Sequence, residues 1–161
     1  MRVTRQKNRQ GFSLIELVIV VVIIAIIGAI AIPRLSRGSA GAADSSLIGN
    51  LRVLRSAVDL YASEHGGTFP AAGTIAAQLT QYTDEAGATS ATKTGNYIYG
   101  PYLRAVPPLS VGAKKGQSGI AAATGASVGW IYDATNGTIK PNTTDSTPVE
   151  ADAKGTLYSA Y

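Results

Sequence analysis

Between residues 12 and 32 the chain reads FSLIELVIVVVIIAIIGAIAI, and Glu16 is the only ionisable side chain in that run. A carboxylate placed in hydrocarbon is costly unless something answers its charge. Glu16 is therefore the first candidate for a functional ion pair. Other residues capable of chemistry are few. Cysteine is absent, which excludes disulfides, thiolate metal sites and thiol nucleophiles. His65 is the single histidine, so a histidine metal cluster is unavailable, and its position before Gly66-Gly67 suits the end of a helix. Asp133, Asp145, Glu150 and Asp152 are spaced too irregularly for a defined cage of oxygen ligands. Lys114-Lys115 is too small a basic footprint to predict a nucleic-acid site. Trp130 and the tyrosines have the composition of cross-strand pairs in a small sheet. Neither a catalytic constellation nor a metal site is expected, and no cofactor is implied.

The elements around Glu16 follow from composition. The formal charge of +4 is concentrated at the start, where Arg2, Arg5, Lys7 and Arg9 supply four of fourteen basic residues. The remaining ten basic side chains are balanced by ten acidic ones. At ~1.5 Å per residue the run 12–32 makes a helix of about 30 Å, the thickness of a bilayer's hydrocarbon core. A lone span in lipid must satisfy its own backbone hydrogen bonds, so its many β-branched residues do not predict a strand. The basic flank before the span places the N-terminus in the cytoplasm and the chain beyond Pro33 outside.

A second helical pattern follows. Leu47, Leu51, Leu54, Val58 and Tyr61 recur at spacings of four and three, while Arg52, Arg55, Asp59 and Ser63 fall mainly off that stripe. The reading is one helix over roughly 12–65, bent or loosened around Gly28, Pro33, Gly38 and Gly41 and stopped by His65-Gly66-Gly67. A short helix is expected from Ile75 to Tyr82, a polar loop over 84–96 and a short strand at Tyr97-Ile98-Tyr99. The strongest strand signal is Val128 to Asp133, turning through Ala134-Thr135-Asn136-Gly137 into Thr138-Ile139-Lys140. The last twenty residues read as polar and loosely ordered up to Leu157-Tyr158.

The basic leader, the run Gly11-Phe12-Ser13-Leu14-Ile15-Glu16 and the apolar span together resemble the class III signal of type IV pilins and type II secretion pseudopilins. The resemblance is specific over residues 9–33 and weaker to about residue 70. It implies cleavage between Gly11 and Phe12 by a prepilin peptidase, N-methylation of the new Phe12 amine, a role in assembly for Glu16 and a helix bend at Pro33. Gly100-Pro101-Tyr102-Leu103 with Pro107, and the hairpin from Gly129 to Gly137, also look pseudopilin-like. Two departures stand beside this: the chain cannot form the C-terminal disulfide of many pilus-forming pilins, and its acids do not spell the calcium loop of the major secretion pseudopilins.

The expected fold is α+β, a ladle whose long N-terminal helix lays its outer half on a small antiparallel sheet. Four segments are expected: a removed leader at 1–11, a transmembrane and filament-core helix at 12–33, its amphipathic continuation at 34–66, and a β-rich region at 67–161 outside the cytoplasmic membrane. The implied function is structural, as a filament subunit of a type II secretion pseudopilus, with a subunit of a surface pilus as the alternative. Related pilin-like subunits, the prepilin peptidase and N-methyltransferase and an inner-membrane assembly platform are the implied partners, with no nucleic acid. The competing readings of the N-terminus are an ordinary secretory signal cut after Ala29-Ile30-Ala31, or a plain anchor carrying a periplasmic binding module.

Overall fold

The computed structural model describes residues 12–143, 150–152 and 154–161, with the side chains of 32–37 also outside the description. Two compact units are present, Met1–Ser39 and Ala40–Tyr161. Helix α1, Leu14–Glu64, contributes to both. Pro33 falls within its bounds, but that side chain lies outside the described residues.

In the first unit, Leu14–Ala31 is long and apolar enough to cross a membrane, with a mean hydropathy of 3.2 and none of its residues buried. In the second unit the stripe Leu47, Leu51, Leu54, Val58 and Tyr61 is buried throughout. One face of α1 therefore forms the floor of a core that also takes in Ile75, Leu79, Leu103, Leu109, Trp130, Tyr132 and Ile139. Burying each large side chain of this kind contributes about 1.5–3 kcal/mol, which anchors the outer half of the helix more firmly than propensity alone. The helix ends as a glycine-terminated helix should. Gly66 adopts φ 62° and the Gly67 N–H donates back to the Ala62 carbonyl at 2.7 Å, closing the last turn.

Beyond the helix lie α2 (Ile75–Thr80), β1 (Tyr82–Thr83), β2 (Thr89–Ser90), β3 (Gly119–Ala121), β4 (Val128–Asp133), β5 (Thr138–Pro141) and a final 3₁₀ turn at Tyr158–Ala160. The α+β arrangement of a long apolar N-terminal helix and a small sheet is the expected one. Strands β4 and β5 form the expected antiparallel hairpin, with Asp133 opposite Thr138. The connection is the expected four-residue loop, Ala134 to Gly137. Trp130 and Tyr132 point into the core from β4, and each polar tip finds a backbone acceptor: Trp130 Nε1 donates to the Pro107 carbonyl at 2.8 Å and Tyr132 Oη to that of Pro70 at 2.9 Å. Burial pushes the Tyr132 hydroxyl pKa up to about 12.

Several details differ from the sequence reading. Strand β3 adds to β4 in parallel, so the three-stranded sheet is mixed, and β1 and β2 make a separate antiparallel pair. The first half of β3 carries Gly119, whose missing side chain lets the Ser127 carbonyl approach; a Cβ there would stand 2.4 Å from it. Helix α2 stops at Thr80 because Tyr82 and Thr83 are taken into β1, and Tyr99 makes only an isolated bridge to Thr83. The described part of the C-terminal segment is docked rather than loose. Tyr158 Oη donates to Asp44 Oδ1 at 2.6 Å, Tyr161 Oη donates to Asp152 Oδ2 at 2.6 Å, and Arg55 donates to the Ile139 and Tyr161 carbonyls.

Gly137 gives one measurable consequence. It sits at φ 71° in the hairpin loop, and a Cβ there would lie 2.4 Å from Phe69 Cε1. Left-handed backbone alone costs a non-glycine residue about 1–2 kcal/mol. Gly137→Ala is expected to lower unfolding stability by about 2 kcal/mol or more, read as a fall in the denaturant midpoint.

Candidate processing and assembly site

The described residues of the expected processing and assembly site lie where α1 begins. Ser13 precedes the first helical residue, and its carbonyl accepts the Leu17 N–H at 3.2 Å, which makes Ser13 the N-cap. Glu16, three residues on, accepts the Ser13 backbone N–H at Oε2, 3.4 Å away. This is the reach-back half of a capping box, in which a glutamate at the third helical position satisfies the donor at the cap. The sequence reading missed it, although Ser13-Leu14-Ile15-Glu16 spells the signature. Glu16 is also the only acid in the first turn, where the positive end of the helix favours negative charge. Phe12 stands immediately outside the helix and is 81% exposed. Gly11 lies outside the described residues.

The remaining described candidates belong to the second unit. His65 is buried at the far end of α1, stacked on Tyr61 with ring centroids 3.8 Å apart. Its Nδ1 meets the Tyr61 carbonyl at 2.8 Å and its Nε2 meets the Asp84 carbonyl at 2.9 Å, tying the helix end to the segment after β1. The described acids among these candidates accept backbone N–H groups, Asp133 and Asp152 locally and Glu150 across 37 residues. Asp133 Oδ1 accepts the Thr135 N–H, Asp152 Oδ1 accepts those of Lys154 and Thr156, and Glu150 Oε1 accepts that of Ala113. The Tyr161 hydroxyl, ahead of these backbone donors, holds the Asp152 carboxyl below its ordinary pKa. Among the described residues no three of His, Cys, Asp and Glu gather as a metal site, while Asp145 lies outside them. Lys115 is exposed and Lys114 half-buried in the turn between Gly112 and Gly116.

With this geometry in place, the comparison with known families is specific. Residues 6–32 carry the Prokaryotic N-terminal methylation motif, the class III signal of type IV pilins and pseudopilins. The matched stretch takes in Gly11, Phe12, Ser13 and Glu16 and all of Leu14–Ala31. The motif supports a type IV pilin-like or pseudopilin subunit, a structural role rather than an enzymatic one, and implies processing by prepilin peptidase and assembly into filaments. Together with the apolar helix it suggests anchoring in the inner membrane. No curated protein and no solved structure matches the chain.

Proposed function

We propose that this chain is a structural subunit of a type II secretion pseudopilus, held in the inner membrane with its N-terminus in the cytoplasm until it is drawn into a helical filament. The observation that carries the filament reading is the methylation motif laid over a helix whose 18-residue span, Leu14–Ala31, is wholly uncovered. Lipid covers that surface before assembly and neighbouring helices cover it afterwards. Cleavage after Gly11 leaves Phe12 as the mature N-terminus, where its amine is methylated, and Pro33 bends the helix beyond the span. In the filament Glu16 accepts the positively charged Phe12 amine of a neighbouring subunit, so one carboxylate selects the axial register among otherwise uniformly aliphatic helices.

The choice of secretion over a surface pilus rests on the zero cysteine count and on the Gly100-Pro101-Tyr102-Leu103 and Gly129–137 segments described above. Removing the chain from its host is expected to leave normally secreted proteins trapped inside the cell envelope. Normal secretion combined with lost surface filaments would assign the chain to a surface pilus instead.

A further inference from the structure

The outer face of α1 in the second unit carries a stripe opposite the buried one. Gly49, Val53, Ser56, Leu60 and Ser63 repeat at spacings of four and three, and all are exposed. That spacing is the seam by which two helices pack knobs into holes. Small residues alternate with aliphatic ones along it, and Val53 and Leu60 are each 51% exposed. Beside them Ala57, Tyr102 and Leu103 complete an apolar groove of about 330 Å³, whose one charged lining residue is Arg52.

The first unit presents the complementary pattern. Glu16, Val20, Ile23, Ile27 and Ile30 repeat at the same spacings, and all are exposed. With Glu16 of one copy level with Arg52 of another, parallel helices bring Val20 level with Ser56, Ile23 beside Leu60 and Ile27 over Ser63. Val20 and Ile27 thus meet the small residues Ser56 and Ser63, the arrangement that lets helices approach closely, while Ile23 packs on Leu60 next to Asp59. The single carboxylate of the apolar segment meets the single cation of the groove, and a guanidinium suits a carboxylate through paired hydrogen bonds. Resting on the filament reading above, we propose that the groove along Val53, Ser56 and Leu60 receives the Leu14–Ala31 helix of a second copy, with Arg52 pairing Glu16 of that copy. The two surfaces differ, so the contact is heterologous and each copy can both give and receive, as an open filament requires. Glu16 has two carboxylate oxygens and can accept Arg52 together with a Phe12 amine.

The absence of native cysteine allows a clean test in the full-length chain in its host. Val20→Cys and Ser56→Cys are introduced together, and sheared filaments are treated with a short bis-maleimide. The expected result is a ladder of covalent multimers, because each chain is joined through two different positions. Ser56→Cys alone should stay monomeric. Arg52→Gln, at an exposed position, should lower filament yield at least tenfold while Arg52→Lys retains most of it. Filaments of the double variant without a ladder would overturn the contact, as would dimers from Ser56→Cys alone, which would mean that the outer stripe faces its own copy. Wild-type yield from Arg52→Gln would also overturn it. Absence of filaments from the cysteine-free parent, with secretion and surface filaments unchanged when the chain is removed, would defeat the filament reading itself and the contact with it.

Discussion

Glu16→Val is expected to leave membrane insertion and cleavage after Gly11 intact and to abolish filament assembly. Insertion is retained because the substitution removes the one charged side chain from the span. Local helix structure is not the cause of the loss. Glu16 contributes the reach-back bond of the capping box, and losing a cap costs about 0.5–2 kcal/mol, which is a small loss for a span whose hydrogen bonds have no alternative in lipid. The loss arises because the variant has no charge with which to accept a cation from a neighbour. Glu16→Gln separates the two roles. Glutamine can still accept the Ser13 N–H at the cap but carries no charge, so it should fail to assemble almost as completely as valine. Mature protein followed by mass and filaments followed by microscopy decide the outcome. Normal yield and helical rise from either variant would remove the register mechanism.

The second large effect is expected at the junction before the span. Gly11→Val should leave the precursor uncut, with processing reduced at least a hundredfold, because a side chain at residue 11 obstructs the close backbone approach that a peptidase needs and that glycine permits. The uncut chain keeps Arg2, Arg5, Lys7 and Arg9 joined to the helix and has no free Phe12 amine. Assembly should therefore fail together with cleavage. Normal processing of Gly11→Val, read as the mature mass on a gel or in a spectrometer, would contradict this.

What was legible in the sequence was whatever depends on periodicity or on a nearly uninterrupted run. The stripe from Leu47 to Tyr61 predicted the buried face of α1 because burial on a helix repeats with the helical period, and all five residues lie in the core. The hairpin from Val128 was legible for the same reason at a period of two. Strand β3 was not, because three half-buried residues beginning with a glycine have no periodicity of their own and pair only where β4 offers an edge. Nor was the docking of Tyr158 on Asp44, a contact between positions 114 residues apart in sequence. The capping box at Ser13 and Glu16 was available in four letters and was missed because the cost of a charge in hydrocarbon dominated the reading of Glu16. The outer stripe through Val53 and Leu60 was likewise hidden by the stronger buried stripe on the same helix.

The N-terminus and intact mass of the protein taken from its native membrane decide whether the chain is processed as a filament subunit. The expected chain starts at Phe12 and carries one methyl group on its amine, with residues 1–11 absent. A chain that still begins at Met1 would mean a plain anchor, and one that begins at Ile32 would mean an ordinary secretory signal; either result would contradict the filament function proposed here.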